Sequence, residues 1–238
     1  SGAVELGSGD VSESGLLVDM EPSTIDVSDY DYDFFYNRAY DASNDTLTPS
    51  DVSTFDTSQL TSEGVDVTEA GNTYRVIVRN EETTINDGAT VDIGDDKIIL
   101  FVDNNLIIES AINLTKGQGF FMAIVSGNII IDESVGDAYV PGNDDDTDPE
   151  LEGIYVSTGG DINTGTYYDE LTDTGADSDT TLEVRGVMAA LTGRINMQRD
   201  LLDDSATPAE KFYYGPDQTL MVPQFFGQYV YRWKEVAP

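Results

Sequence analysis

The chain has 238 residues, of which 39% are hydrophobic, so it is long enough for one sizeable domain with a buried core. Its 46 acidic and 11 basic residues give a formal net charge of -35, which makes nucleic acid and anionic membranes poor partners. Cysteine and histidine do not occur, which excludes disulfides, thiolate metal sites, the common zinc sites and the Ser-His and Cys-His nucleophiles.

The first residues, 1–4, carry neither a charged leader nor an apolar stretch, so we expect a processed chain whose secretion signal has been removed. The longest apolar runs, 98–102 and 120–125, are far shorter than the roughly 20 residues that cross a bilayer. The sequence therefore predicts an exported chain that inserts in no membrane.

Residues 1–72 are rich in Ser, Thr, Asp and Gly and are predicted to form a small irregular N-terminal lobe. The dense aromatic group at residues 30–40 is predicted to anchor it. If residues 29–34 are extended, their alternation places the rings on one face and the carboxylates on the other. A short helix over residues 34–40 is the alternative.

From residue 73 onward, short β-branched runs are separated by Gly, Asn and Asp, which is typical of strands with tight corners. Only residues 208–214 have a possible helical period. The second domain, 73–238, is therefore predicted to be all-β, with no amphipathic helix to cap either end.

An internal echo is the most informative feature of the sequence. Residues 102–109 (VDNNLIIE) match residues 125–132 (VSGNIIID), 23 positions later, and weaker copies follow at 157–163 and 190–196. The corner positions of the four copies are residues that tolerate a left-handed backbone. These corners are Asn104, Gly127, Gly160 and Gly193.

A repeat of strand, corner and strand predicts a parallel β-helix, or β-solenoid, over about residues 73–220. In such a fold Leu106, Ile129, Ile162 and Ile195 occupy one column. An antiparallel β-sandwich with similar hairpins is the alternative, because regular short strands also produce it.

The order of several motifs resembles that of secreted surface proteins of the candidate-phyla (Patescibacteria) type. The matching segments are 101–108 (FVDNNLII), 120–131, 151–156, 193–201 (GRINMQRDL), 208–212 (PAEKF) and the ending 233–238 (WKEVAP). The resemblance covers residues 73–238 and implies an exported surface protein without a defined activity. The chain differs from those proteins at Asn104, where a corner glycine is usual.

Acidic residues are concentrated in two predicted inserts, around 141–150 and 169–180. Closely spaced carboxylates suit the hard, oxygen-seeking Ca²⁺, and the two inserts would leave neighbouring coils. The spacing is not that of an EF-hand, and a solvated charged loop is the alternative. The predicted calcium ligands are Asp144, Asp145, Asp146, Asp148, Asp169 and Asp173.

The basic residues do not form a dense cluster with acidic ones, so we expect no enzyme. Arg194 and Arg199 are expected to form ion pairs with the acidic excess. The aromatic residues at 212–214 and 225–226 are predicted to form a closing hydrophobic layer, and a platform for glycans is the alternative.

Sheet edges left open at the ends of a solenoid join other chains unless something covers them. The sequence therefore predicts an extracellular structural protein that assembles head to tail into a filament, with calcium as a possible stabilising ion. Residues 1–9 or 229–238 are the candidates for pairing with a neighbouring copy. The alternative function is a monomeric surface adhesin or carbohydrate-binding module.

Overall fold

The computed structural model describes residues 29–138, 148–165, 180–199, 201 and 208–227. The helices in these ranges are α1 (Tyr32–Ala42), α2 (Thr57–Ser62), α3 (Pro216–Leu220) and a 3-10 helix (Gln224–Phe226). None of the helices in the described part of the chain has the length and hydropathy of a membrane span.

Most of the regular structure is β-strand, as predicted. The strands are β1 (Thr54–Phe55), β2 (Val65–Glu69), β3 (Asn72–Arg79), β4 (Thr83–Ile85), β5 (Thr90–Gly94), β6 (Lys97–Val102), β7 (Leu106–Ile108), β8 (Ala111–Leu114), β9 (Phe120–Val125), β10 (Ile129–Ile131), β11 (Asp137–Ala138), β12 (Leu151–Ser157), β13 (Ile162–Asn163), β14 (Thr180–Ala190), β15 (Ile195–Asn196) and β16 (Glu210–Tyr214).

The strands pair in two sheets. The smaller sheet has the order β1-β4-β7-β10-β13-β15, and all its pairs are parallel. The larger sheet has the order β11-β14-β12-β9-β6-β3-β2, with β16 added beside β14 and with β5 and β8 joined to it through β12. Antiparallel pairing occurs in this sheet only at β2/β3 and β11/β14, among the strands described. This pattern does not agree with the antiparallel sandwich.

Successive parts of the chain repeat one order of strands: β3, β6, β9, β12 and β14 of the larger sheet are followed by β4, β7, β10, β13 and β15 of the smaller one. The strand register aligns equivalent positions of the internal sequence repeat. Ile129 lies opposite Leu106 on one side and Ile162 on the other, and Ile162 lies opposite Ile195. The predicted column is confirmed.

A ladder of side-chain hydrogen bonds follows the corners before these strands. Asn105 Oδ1 accepts from the backbone N–H of Asn128 at 2.9 Å, and Asn128 Oδ1 accepts from the N–H of Asp161 at 2.8 Å. Asp161 Oδ1 accepts in turn from the N–H of Arg194 at 2.7 Å. We call these four residues the corner ladder. Each bond satisfies a backbone donor that the turn would leave unpaired.

The corner glycines are where the sequence predicted them, but for a different reason. Gly127, Gly160 and Gly193 do not have the positive φ of a left-handed corner. A Cβ on Gly160 would instead lie 2.7 Å from the Gly127 carbonyl carbon, and one on Gly193 would lie 2.2 Å from the Gly160 oxygen. Close stacking of successive corners therefore requires glycine here.

Two apolar clusters hold the sheets. One lies between the two sheets and includes Ile77, Leu100 and Tyr155 of the larger sheet with Ile85 and Leu106 of the smaller one. The second covers the opposite face of the larger sheet, under α1 and the 3-10 helix. Strands β9 and β12 are buried along their whole length as a result, which is typical of parallel sheets covered on both faces.

The aromatic group near the N-terminus forms α1, so the extended interpretation of residues 29–34 is wrong. Asp31 caps the helix by accepting from the Phe34 N–H at 2.8 Å. Tyr32 and Tyr36 lie one turn apart, and each ring meets Phe101 of the sheet edge-on, with centroids 5.8 and 5.9 Å away. The helix therefore covers the sheet through its aromatic face.

Two further expectations about helices are wrong. The helical period at 208–214 does not give a helix, because residues 210–214 form strand β16, which pairs in parallel with β14 from the Leu182–Glu210 pair onward. A capping helix was not expected, but helix α2 covers the β1 end of the core through Leu60, which is 3% exposed. Asp56 and Gln59 close the start of α2 with reciprocal bonds to each other's backbone N–H groups.

Stacking between Gly153 and Gly186 allows a direct test of the packing. Both have positive φ, and a Cβ on Gly186 would lie 1.8 Å from the Gly153 oxygen. Gly186→Ala is expected to add overpacking on the order of 1–3 kcal/mol to the backbone strain. The measurement is urea unfolding.

Gly71→Ala is the matched control, because Gly71 also has positive φ but has open space around its Cβ position. Its loss of about 1 kcal/mol reports strain alone. Equal losses in the two variants would contradict the stacked geometry.

Candidate functional site

Of the six predicted calcium ligands, only Asp148 lies in the described residues, where it is exposed. Asp144, Asp145, Asp146, Asp169 and Asp173 lie outside them. Within the described ranges, no group of three or more acidic side chains is placed to hold a metal ion. The calcium site therefore stays a prediction.

The apolar columns of the core end abruptly at the last strands. Ile162 is fully buried, whereas its partner Ile195 in β15 is 40% exposed. Val184 is 1% exposed, whereas its partner Phe212 in β16 is 43% exposed. The side chains that continue the core at this end are thus only partly covered by the part of the chain that the structure describes.

The third column ends in the same way, at Met188 of β14, which lies opposite the fully buried Tyr155 of β12 and is only partly buried. We call Met188, Ile195 and Phe212, with the neighbouring Met197 (65% exposed) and Tyr214 (71%), the open end. Exposed apolar residues concentrated in this way mark an interaction surface more often than scattered ones do.

Backbone edges are also open here. Residues 187–190 pair with β12 on one side only, and β15 and β16 are the last strands of their sheets among the residues described. Unpaired N–H and C=O groups along such edges are templates for another strand. The open end therefore combines uncovered core side chains with available hydrogen-bonding groups.

The opposite end of the core differs. Ile77, at the start of its column, is 1% exposed, and Phe55 of β1 is fully buried. Leu60 of α2 belongs to the same cluster and covers them. Strands β1 and β2 keep one free edge each at this end, because no further strand pairs with them in the described part of the chain.

The two ends also differ in charge. Residues 50–69, which include β1, α2 and β2, contain five acidic and no basic residues. Residues 184–199, which include most of β14 and all of β15, contain three arginines and no acidic residue. This stretch therefore has a local excess of positive charge in a chain whose net charge is -35.

The three arginines have different partners. Arg185 forms ion pairs with Glu152 and Asp217. Arg199, which was expected to pair with acidic residues, donates from Nε to the Thr164 carbonyl at 2.7 Å and from Nη2 to the Asp132 carbonyl at 3.0 Å. Burial lowers the pKa of Arg199 from its ordinary value.

Arg194 lies at the exposed corner of the last turn. Its backbone N–H bonds Asp161. The predicted ion pair of its side chain is not found: no carboxylate of the described residues lies within ion-pair distance of the guanidinium. Arg194 is therefore the one arginine of this stretch whose charge is available to a partner.

Two buried carboxylates lie beside the open end, Glu150 just before β12 and Glu183 on β14. Glu183 is 3% exposed; one of its oxygens accepts from Lys211 Nζ at 2.9 Å, and the other has no hydrogen-bond partner among the described residues. The backbone N–H of Glu183 donates to the carboxylate of Glu150. Burial, together with the charges of Asp137 and Glu183, raises the pKa of Glu150 to about 7. The side chain can thus take up a proton near neutral pH.

The C-terminal aromatic residues divide into two groups. Phe225 and Phe226 pack against Tyr74, Phe35 and Phe101, so they form the closing layer that was predicted. Tyr214 and its neighbours on β16 are instead exposed. For residues 212–214 the prediction of a closing layer is wrong, because no later strand of the described residues covers β16.

A cleft of about 270 Å³ lies between the β2–β3 turn and the segment after α3. Glu69 in its wall accepts from the N–H groups of Gln224 at 2.6 Å and Phe225 at 3.2 Å. Tyr74 donates its hydroxyl to the Met221 carbonyl at 2.8 Å. These bonds fasten the C-terminal segment to the sheet, which explains the polar lining without a ligand.

Comparisons with known proteins do not assign the site. No family model matches the chain, and neither the search of curated proteins nor that of solved structures gave a match.

The raised pKa of Glu150 has a consequence for stability. Between pH 4.5, the ordinary value for this carboxyl group, and about 7, the folded chain keeps a proton that the unfolded chain loses. The contribution of Glu150 is therefore present below pH 4.5 and is lost as the pH rises towards 7. Glu150→Gln is expected to flatten this part of the profile of unfolding free energy against pH.

Urea unfolding at a series of pH values checks this expectation. Asp148→Asn is the control, because it removes the same charge from an exposed position two residues away. A profile for Glu150→Gln that is parallel to the wild-type profile between pH 4.5 and 7 would be evidence against the raised pKa.

Proposed function

We propose that the chain is an extracellular, non-enzymatic structural subunit that winds as a β-solenoid and assembles end to end into filaments. The open end carries the proposal, since three apolar columns of the core stop there with uncovered side chains. The strand pairing is observed, and the solenoid and its assembly are inferred from it.

Parallel pairing of equivalent strands supports the solenoid. The strands of the larger and the smaller sheet alternate along the chain, and each pairs with the equivalent strand of the next segment. Each turn then buries its apolar face only against its neighbours, which makes the two terminal turns different from all others.

Hydrophobic burial supports assembly through the open end. A Leu, Ile or Phe side chain contributes about 1.5–3 kcal/mol when it is moved from full exposure to full burial. Ile195 and Phe212 have part of this still to gain. A contact between unlike ends repeats without closing on itself, so it leads to a filament.

The surface location has two supports. The motif order resembles that of secreted surface proteins of the candidate-phyla (Patescibacteria) type, and a chain without cysteine has no thiol that an oxidising environment could modify.

The net charge of -35 keeps separate copies apart at low ionic strength. Assembly is therefore expected to need salt, which screens this repulsion.

Calcium is part of the proposal. The two acidic inserts that contain the predicted ligands precede β12 and β14 in the sequence. Glu150, the last residue of the first insert, has a pKa raised by burial and by neighbouring negative charge. A bound divalent cation would relieve this repulsion. A ligand that binds only the folded chain raises the melting temperature.

The expected result is a higher melting temperature with Ca²⁺ than with NaCl at the same ionic strength, and a loss of the difference on addition of a chelator. A variant with Asp144, Asp145 and Asp146 replaced by Asn should lose most of the calcium effect. Equal stabilisation by both salts would leave only screening and would reject the site.

Ile195→Ser and Phe212→Ser test the assembly. Both replace exposed side chains, so the fold should keep its stability, while association through the open end should weaken because less apolar surface is buried. The measurements are sedimentation velocity over a range of protein concentrations and negative-stain electron microscopy. The wild-type chain should form filaments, and the two variants should not.

Leu220→Ser is the matched control, because Leu220 is 85% exposed on α3 and lies beside the Glu69 cleft, away from the open end. It should assemble like the wild type. A wild-type chain that stays monomeric at every concentration and salt condition would contradict the proposal.

A monomeric glycan-binding module is the second candidate. The exposed rings of Tyr213 and Tyr214 favour it, because sugar rings stack on accessible aromatic faces. A monodisperse chain that binds glycans, and that loses the binding in Tyr214→Ala, would be the outcome expected for this function.

A further inference from the structure

The corner ladder changes its chemistry at its last residue. Asn105, Asn128 and Asp161 each offer a side-chain oxygen to the backbone N–H of the next turn. The next residue in the series is Arg194, whose side chain contains donors only and cannot accept such a bond. The ladder therefore stops at the open end with a positive charge where the earlier turns have an acceptor.

The same series can be followed to the other end of the smaller sheet. Thr83 lies opposite Leu106, so Glu82 precedes it beside Asn105, and Asn105 Nδ2 donates to Glu82 Oε2 at 3.0 Å. Thr54 lies opposite Thr84 and Ser50 lies opposite Arg79, so Val52 belongs to the stretch that faces residues 80–83, which contains Glu82. From the first turn to the last, the series contains Val52, Glu82, Asn105, Asn128, Asp161 and Arg194.

We infer that the partner of the open end is the β1 end of a second copy, with β15 of one copy adding in parallel beside β1 of the next. Arg194 then lies beside Val52 of the second copy and contacts its Asp51 and Glu82. This assignment rests on the proposed end-to-end assembly and specifies its partner surface and polarity.

The geometry of the first turn suits this contact. Asp51, Val52 and Glu82 are all exposed. Neighbouring strands lie about 4.8 Å apart, so Glu82 of the added copy would lie about 10 Å from the Arg194 backbone. The long arginine and glutamate side chains span this distance together, and Asp51 lies one residue from Val52.

The free edges match in direction as well. In the smaller sheet, the N–H of Leu106, Ile129 and Ile162 each donates to a carbonyl of the next turn, the last of them to Arg194 O at 2.8 Å. Continuing the pattern gives the N–H of Ile195 a carbonyl of the added β1 segment. All pairs of this sheet are parallel, so the addition keeps the chain direction of every strand.

Charge selects this arrangement over the two symmetric ones. Joining two open ends would bring Arg194 of both copies together, and joining two β1 ends would bring together the exposed Asp51 and Glu82 of both copies. Like charges at an interface oppose the wrong pairing, whereas opposite charges steer the correct one. The filament should therefore be polar.

A pair of charge reversals tests the contact. Arg194→Glu makes the open end acidic, and the double variant Asp51→Arg/Glu82→Arg makes the β1 end basic. Each variant alone sets like charges against each other, so its self-association should weaken about tenfold or more at moderate salt. An equimolar mixture of the two variants should assemble, because both of its unlike contacts regain opposite charges.

Lys116→Glu is the control, because it makes the same change of charge at an exposed turn away from both ends. It should assemble like the wild type, and melting curves should show that all variants are folded. Sedimentation velocity of each variant and of the mixture is the measurement.

The failures of the two proposals can be told apart. If Arg194→Glu assembles as Lys116→Glu does, or if the mixture of folded variants stays unassociated, the assignment of the β1 end is overturned while assembly itself stands. If the wild-type chain stays monomeric until residues 228–238 are deleted, the chain's own C-terminal segment occupies the open end, and both proposals are overturned.

Discussion

In-register parallel pairing is the constraint on which the rest of the structure depends. Each strand is hydrogen-bonded to its equivalent in the next segment, so apolar side chains such as Leu106, Ile129 and Ile162 are covered along the sheet by the members of their own column and across the core by the opposite sheet. Apolar side chains in the inner strands have a neighbour on both sides, whereas those in the first and last strands have a neighbour on one side only. Each end therefore needs a cover that the repeating strands do not supply.

The two ends of the sheets differ in how the core is covered and in charge. At the β1 end a helix, α2, closes the core with Leu60, and the surrounding residues are acidic. At the other end the described residues contain no equivalent helix, and residues 184–199 contain three arginines and no acidic residue. Backbone edges, apolar side chains and charge change together between the two ends. Because three independent features change together, they support self-assembly with a fixed polarity more strongly than the exposure of a single residue would.

The sequence predicted the parts that depend on local repetition. The 23-residue echo gave the column through Leu106 and Ile129, and its corner glycines were correctly located, although their cause is close stacking and not a left-handed backbone. Helix α1 was difficult to predict from the sequence, because its tyrosines have helical spacing but also alternate with aspartates, as residues of a strand do. Its cap at Asp31 was the available signal. The raised pKa of Glu150 could not be predicted, since it follows from burial in the folded chain and from the charges of Asp137 and Glu183.

Hydrogen–deuterium exchange at increasing protein concentration tests the central claim, that the open end is an assembly surface. The account predicts that amides of residues 187–190 and 195–197, and those of residues 51–54, become protected as the concentration rises. Amides of β10, already paired on both sides, should exchange equally slowly at every concentration. Exchange at both ends that does not depend on concentration, under salt conditions that screen the charge, would contradict the account.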